Sequence, residues 1–353
     1  MARSILIMAG GTGGHIFPAL AVAEVLRADG WQVTWLGAPN SMEAELVPKH
    51  GYEVAWVRFS GLRGKGLLRK LMLPLNLLIA LWQSAVAMFR YRPDVVLGMG
   101  GYITFPGGVI AALLRKPLVI HEQNSVAGMS NKALAKLSDR VMSGFPNVLK
   151  RAEWCGNPVR DSIAVLPAPE LRYKARSGVL NVLVVGGSLG AQALNECLPQ
   201  ALFCMPQDIE PKVIHQTGKK NFAEVEGLYH EAGITAEVKP FLDDMAQYYG
   251  WADVVICRAG ALTVAELAAA GVASILIPFP FAVDDHQTGN AKFLSDKGAA
   301  ILLPQTELTA RRLASILEGL TRDKALSMAI TARSLGQPAA AQRVAQVCKE
   351  LAA

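Results

Sequence analysis

The chain has 353 residues, 52% of them hydrophobic and 18% charged, enough apolar material for two α/β domains with full cores and incompatible with a low-complexity or disordered class. Its cysteines, Cys155, Cys197, Cys204, Cys257 and Cys348, are scattered and lack C-x-x-C spacing, which excludes a disulfide framework and a zinc knuckle and predicts a reducing, cytoplasmic environment. The formal net charge of +6 is concentrated between Glu53 and Asp94, where Arg58, Arg63, Lys65, Arg69, Lys70, Arg90 and Arg92 stand without an acid, a field suited to nucleic acid, an anionic membrane or a phosphorylated substrate unless it is simply a solvated face.

The first residues carry one arginine and no small-residue cleavage site, so no signal peptide is read. The apolar run 4–9 predicts a strand, followed by the loop Gly10-Gly11-Thr12-Gly13-Gly14-His15 and a helix opening near Ile16. Glycines let the backbone approach a ligand, and the helix behind them offers unpaired N–H groups and a positive dipole end, so the loop suits an anion; alone, it could also be an ordinary tight turn. Further strands are predicted at 32–36, 53–57, 95–98, 118–120 and 141–143, separated by stretches long enough for helices, which implies a parallel sheet. A second glycine loop, 98–102, follows the strand at 95.

Residues 71–89 are nearly all apolar. Proline sits best in the first turn of a helix, so Pro74 places a helix over about 74–91, short of the roughly 20 apolar residues a membrane span requires. Arg69, Asn76, Gln83 and Arg90 recur every seven residues as a polar stripe. The other faces carry more apolar surface than one core contact needs, leaving two readings: a buried crossover helix, or a face resting on a membrane.

The pattern breaks at 156–158 and stays irregular to 178. The expected division is a first domain over 1–157, a linker over 158–180, a second domain over 181–335 and a closing helix over 336–353. Strands at 181–185, 212–216, 236–239, 254–257, 274–277 and 300–303 repeat the first half, and a third glycine loop, 186–190, follows the first of them. The predicted fold class is α/β, with two doubly wound parallel sheets.

Polar clusters sit at strand ends, where open α/β sheets bind ligands. His121-Glu122-Gln123-Asn124 exceeds what helix capping needs. The segment Arg258-Ala259-Gly260-Ala261-Leu262-Thr263-Val264-Ala265-Glu266 opens a helix whose N–H groups can hold a diphosphate, while Glu266 can accept from a ribose diol. Asp284-Asp285-His286-Gln287-Thr288-Gly289-Asn290 follows another strand, and Gln287 and Asn290 suit sugar hydroxyls. His15, His50, His121, His215, His230 and His286 are dispersed, and the pairs Asp243-Asp244 and Asp284-Asp285 point apart in most backbones, so no metal site is read.

The motifs at 10–15, 98–102, 121–124, 186–191, 261–266 and 285–291, in this order over nearly the whole chain, closely resemble the MurG family, bacterial N-acetylglucosaminyltransferases that complete lipid II. The resemblance implies a two-domain GT-B fold facing across a cleft, with the acceptor glycolipid on the first domain, UDP-N-acetylglucosamine mainly on the second, and a final helix returning to the first. It carries over Thr12, Gly13, Gly14, Asn124, Arg160, Ser188, the backbone at Leu242, Ala261, Leu262, Thr263, Val264, Ala265, Glu266 and Gln287 as donor contacts. Gly100, Gly101 and Tyr102 fall to the acceptor diphosphate. Leu189 departs from the pattern, where relatives often have Gln.

The implied reaction is an inverting transfer in which the 4-hydroxyl of an N-acetylmuramyl unit attacks the anomeric carbon as UDP leaves. His15 can take the proton near neutral pH, with Glu122 as a second candidate or as its orienting partner. Arg160, the Ser188 loop and the helix at Ala261 would stabilise the leaving diphosphate, so no cofactor is required, although magnesium could stimulate. A polyprenyl acceptor brings the enzyme to the bilayer, through Leu75, Ile79 and Trp82 ringed by Arg63, Lys65, Arg69 and Lys70. The expected location is therefore peripheral, on the cytoplasmic side of the inner membrane, with other cell-wall synthesis proteins as further partners left open and no nucleic acid.

Three rivals are weighed. An NAD(P)-dependent oxidoreductase needs a final glycine that Ile16 replaces and an acid that neither second strand supplies. A nucleic-acid-binding protein would use the basic segment, which is leucine-rich and lacks a nucleic-acid motif. The nearest rival is another glycolipid glycosyltransferase with a different UDP-sugar.

Overall fold

The structure is a computed structural model and describes residues 2–59, 72–187 and 190–352. The chain divides into two units, one formed by residues 1–160 with 338–353 and the other by 161–337. Each has its own parallel sheet.

The sheet of the first unit contains β1 (Ser4–Met8), β2 (Gln32–Gly37), β3 (Glu53–Trp56), β4 (Val95–Gly98), β5 (Leu118–Glu122), β6 (Arg140–Ser143) and β7 (Glu153–Trp154). Their order in the sheet is β3-β2-β1-β4-β5-β6-β7. The connecting helices are α1 (Gly13–Ala28), α2 (Met42–Lys49), α3 (Leu73–Tyr91), α4 (Thr104–Leu113) and α5 (Met129–Leu134). Central strands read as continuous apolar runs because helices cover both faces, and Ile5, Leu6, Ile7 and Met8 are all buried. The Trp35 indole, fully buried, donates to the Ala9 carbonyl at 2.9 Å and so pins the end of β1 beside β2. The two-residue β7 was not anticipated, being too short to show a period.

The second unit opens with α6 (Asp161–Ala164) and α7 (Pro169–Tyr173). Its strands are β8 (Asn181–Val185), β9 (Lys212–Gln216), β10 (Ala236–Lys239), β11 (Val254–Cys257), β12 (Ala273–Leu276) and β13 (Ala300–Leu302), in the order β10-β9-β8-β11-β12-β13. Its further helices are α8 (Gln192–Phe203), α9 (Phe222–Glu231), α10 (Met245–Trp251), α11 (Ala261–Ala270), α12 (His286–Ser295), α13 (Ala310–Glu318) and α14 (Arg322–Leu335). Both sheets are therefore doubly wound in the same strand order.

Most of the stretch 158–180 read as a linker is instead built into the second unit. Arg172 donates to the carbonyls of Tyr249 at 3.0 Å and Ala270 at 2.7 Å, and Arg176 joins Arg322 on the carboxylate of Asp253, which is wholly buried. Prolines and mixed charges look like a linker in sequence, but here they form short helices whose arginines take up carbonyls left over at helix and strand ends. The last helix, α15 (Ala340–Leu351), lies in the first unit, with Val344, Ala345, Val347 and Cys348 in the core beside Ile16 and Leu20. Arg343 clasps Glu153 through two bonds, at 2.6 and 3.0 Å.

α3 begins one residue before the expected Pro74 and ends at Arg92, which takes a left-handed conformation. Ala80, Ser84, Ala87 and Met88 face inward and pack on α4 and its surroundings. The opposite face exposes Leu75, Leu78, Ile79, Trp82, Val86 and Phe89, with Trp82 68% accessible. Gln83, expected in the polar stripe, accepts from the Arg58 backbone at 2.7 Å, while Asn76 and Arg90 of that stripe stay exposed alongside the apolar residues.

Candidate active site

In each sheet the strand order reverses between the first strand and the fourth, β1 and β4 in one and β8 and β11 in the other, and ligands of doubly wound sheets bind at such switch points. The glycine loops lie there. In the first unit the loop 10–14 is held from below by a buried acid that sequence reading missed: Glu43, on α2, accepts from Gly11 N at 3.0 Å and from Ala38 N at 3.2 Å. Thr12 caps α1 with its backbone alone, and the first turn carries no acid, so the N-terminal N–H groups of α1 keep their positive end toward solvent. The second loop packs directly on the first. Gly101 has φ +87°, and a Cβ there would run into the Gly10 carbonyl, while a Cβ on Gly11 would meet Tyr102 at 3.3 Å.

His15, on the first turn of α1, has Nδ1 2.7 Å from Gln123 Oε1. Gly100, φ +96°, leaves room for that pair, since a Cβ would stand 2.7 Å from His15 Nδ1 and 3.2 Å from Gln123 Oε1. Gln123 in turn donates to the His121 carbonyl at 2.9 Å and lies 3.0 Å from His121 Nδ1, and His121 Nε2 lies 2.9 Å from the Gly156 carbonyl. Burial lowers His121 to about 4, against the smaller opposing pulls of the Gly156 carbonyl and Glu122, so its ring is neutral.

Glu122 does not orient His15. Successive residues of a strand face opposite ways, and with Gln123 and His121 turned to His15, Glu122 points into the 124–131 segment. It accepts from Asn124 N at 3.0 Å, Gly128 N at 3.0 Å and Asn131 Nδ2 at 2.9 Å. A carboxylate 2% exposed and bonded at both oxygens organises a loop and is poorly placed to receive a substrate proton, which corrects the expectation of Glu122 as second base or as partner of His15.

In the second unit the loop 186–190 is held in the corresponding place by amides. Gln216, at the end of β9, accepts from Gly187 N at 3.3 Å, and Asn195 and Asn221 both donate to the Thr217 carbonyl at 3.2 Å. Ser188 and Leu189 lie outside the described residues. α8 and α11 have neither side-chain caps nor acids in the first turn, whereas α10, α13 and α14 are capped by Asp244, Thr309 and Thr321. The turn that starts with Ala261, Leu262 and Thr263, and continues through Val264 and Ala265, thus stands at the switch point with neither a side-chain cap nor an acid to offset its positive dipole end.

Glu266 is 4% exposed and accepts from Tyr249 Oη at 3.1 Å, a partner on α10 that sequence reading missed. Gln287 accepts from Phe279 N at 2.9 Å and so ties α12 to the 278–281 loop. Arg258 reinforces that loop through the carbonyls of Ile277 and Pro278 and stacks 5.4 Å from the Phe279 ring. Asn290, expected toward sugar hydroxyls, is fully buried and donates to the Ala259 carbonyl at 3.1 Å, bracing the loop before α11. Leu242 has a buried side chain, and Arg160 closes the first unit half-buried. Among the described residues no group of three or more His, Cys, Asp or Glu could hold a metal. Of the expected membrane contacts, Leu75, Ile79 and Trp82 are exposed on α3, and Arg63, Lys65, Arg69 and Lys70 lie outside the described residues.

Two doubly wound units, each with a glycine loop and uncapped helix N-termini at its switch point, define a glycosyltransferase of the GT-B class. Residues 5–143 match the glycosyltransferase family 28 N-terminal domain and residues 181–345 its C-terminal domain. The chain belongs to glycosyltransferase family 28. It is 62% identical over 351 residues to the UDP-N-acetylglucosamine--N-acetylmuramyl-(pentapeptide) pyrophosphoryl-undecaprenol N-acetylglucosamine transferase of Aromatoleum aromaticum, covering 99% of this chain and 98% of that protein. The enzyme of the same name from Dechloromonas aromatica is 58% identical with both chains wholly covered. A solved structure of Acinetobacter baumannii MurG superposes with a TM-score of 0.87 at 41% identity, covering 99% of each chain.

Proposed function

We propose that this enzyme transfers N-acetylglucosamine from UDP-N-acetylglucosamine to lipid I, undecaprenyl-diphospho-N-acetylmuramyl-pentapeptide, and so forms lipid II in peptidoglycan synthesis. Full-length identity to the Aromatoleum and Dechloromonas enzymes supports the substrates. The observation that carries the chemistry is His15, held by Gln123 at the open N-terminus of α1 beside the Gly100 loop.

The reaction inverts the anomeric centre. His15 takes the proton of the acceptor 4-hydroxyl, the oxygen bonds to the anomeric carbon, and the sugar–phosphate bond breaks with its electrons leaving on UDP. The diphosphate is received at the N-terminal end of α11, whose first turn opens at Ala261 without an acid, with Arg160 and Ser188 adding charge and a hydroxyl. Glu266, fixed by Tyr249, accepts from the ribose. Gln287 donates to the sugar through its amide nitrogen, since its oxygen is committed to Phe279. Thr12, Gly13, Gly14 and Asn124 are further donor contacts, Leu242 contributes its backbone to the donor, and Gly100, Gly101 and Tyr102 receive the acceptor diphosphate. No cofactor is required; magnesium acts at most as a stimulating counter-ion.

The enzyme works as a peripheral protein at the cytoplasmic face of the inner membrane. α3 has 19 residues and is apolar enough to cross a bilayer, but as the connection between β3 and β4, with one face packed on the first unit, it lies on a membrane instead of spanning it. Its exposed apolar face and the basic segment before it add modest insertion to roughly 1 kcal/mol per basic residue near an anionic leaflet.

A panel of UDP-sugars offered with short-chain lipid I tests the substrates. Turnover with UDP-N-acetylglucosamine alone is expected, and preference for another sugar would establish the rival glycolipid transferase.

A further inference from the structure

Two backbone carbonyls set the polarity of a side-chain chain that ends at His15. A carbonyl oxygen can only accept. The amide end of Gln123 that lies 2.9 Å from the His121 carbonyl must therefore be its nitrogen, which turns Oε1 toward His15. The same logic acts one step back. His121 Nε2 faces the Gly156 carbonyl at 2.9 Å, so that nitrogen carries the proton of the neutral ring, and the bare Nδ1 receives the second Gln123 N–H at 3.0 Å. Both hydrogens of the amide are then used, and Oε1, fixed as an acceptor, requires Nδ1 of His15 to be the donor.

We infer that Gln123 and His121 are positioning residues that hold neutral His15 in the Nδ1–H tautomer, leaving the Nε2 lone pair as the base. This rests on the reading of His15 as the proton acceptor and deepens it. The proton leaves the acceptor hydroxyl for Nε2, Nδ1–H stays on Gln123, and the resulting imidazolium is stabilised by the amide oxygen without passing its second proton on. The site excludes alternatives by packing. Gln123 and His121 are 1% and 0% exposed, Asn157 Nδ2 donates to the Gln123 carbonyl at 2.9 Å, and Gly100 offers no side chain to displace the pair. The opposite tautomer would set a lone pair of His15 against a lone pair of Gln123 at 2.7 Å.

The test reads the tautomer directly. With 15N-histidine labelling, the six histidines give separable ring signals, and those of His15 are assigned by their loss in His15→Ala. The wild type is expected to show a pyrrole-type Nδ1 and a pyridine-type Nε2 once the ring is neutral. The reverse pattern would overturn the inference whatever the activity. Gln123→Met keeps length and bulk but removes the acceptor, so the Nε2–H form should grow in and kcat fall about tenfold or more, with KM for UDP-N-acetylglucosamine within about twofold. A folded Gln123→Met enzyme with unchanged tautomer and kcat would sink the positioning role. Should Gln123→Met fail to fold, the wild-type spectrum still decides. Separately, unimpaired turnover in His15→Ala would refute the base while leaving the tautomer measurement standing.

Discussion

The two sheets share one strand order, yet their switch points are built from different chemistry. In the first unit the glycine loop rests on a buried carboxylate, Glu43, and the neighbouring strand end carries His121, Glu122, Gln123 and the bond to His15. In the second the loop rests on the amide of Gln216, and Asn195, Asn221 and Asn290 brace the surroundings. A diphosphate is repelled by nearby carboxylates and held by neutral donors and helix N-termini, whereas a site that moves a proton needs titratable groups of fixed orientation. On the proposed reaction, one fold thus supplies an anion-holding edge for the donor and a proton-handling edge for the acceptor, whose own diphosphate falls to the Gly100 loop. The choice lies in what supports each loop.

The largest expected effect tests the proton-handling edge. His15→Ala should lower kcat by about 10²-fold or more with UDP-N-acetylglucosamine binding largely kept. Glu122→Gln should instead act on folding, because it faces backbone N–H groups with a partial donor: a stability loss of about 1–3 kcal/mol in urea unfolding is expected, with kcat changed far less. A loss of turnover in Glu122→Gln equal to that of His15→Ala, without loss of stability, would restore Glu122 as a base.

Acid sensitivity comes next and is shared by both units. Burial lowers His121 to about 4 and His215, bonded to Tyr229, to about 3 from an ordinary 6.5. As pH falls through 6.5 the unfolded chain takes up protons that the folded chain refuses. Stability is therefore full above about 6.5 and declines below it by about 1.4 kcal/mol per pH unit for each histidine, until the folded rings themselves titrate near 4 and 3. Thermal melts from pH 7 to 4.5 should show this slope, and His215→Phe should remove about half of it; an unchanged slope in that variant would assign the acid loss to carboxylates.

The smallest effect sharpens the anion-holding edge. Glu266→Ala should weaken UDP about tenfold by calorimetry, and Tyr249→Phe, which removes only the group orienting Glu266, should cost less, about fivefold at most from one hydrogen bond near 1 kcal/mol. Unchanged UDP affinity in Glu266→Ala would move the ribose elsewhere and dissolve the contrast between the two edges.

Much of this was legible without coordinates. Buried parallel strands are apolar runs of a few residues, and glycine loops after them mark where phosphates can be approached, so the strands around 4–8, 95–98, 181–185 and 254–257, the doubly wound class and the strand-end motifs were fixed by local pattern alone. The helix beginning near Pro74 followed in the same way from proline's place in a first turn.

What local pattern lacked was parity and reach. A strand covered on both faces carries no alternation to show which residues share a side, so among His121, Glu122 and Gln123 only the position of β5 beside β4 decided that Gln123 meets His15 and Glu122 turns to the 124–131 loop. Glu43 and Tyr249 reach their targets from separate helices, and the arginines of 161–180 find carbonyls more than 70 residues away. Such long-range hydrogen bonds leave no periodic trace, because each partner is placed by the packing of a whole element and not by the residues beside it.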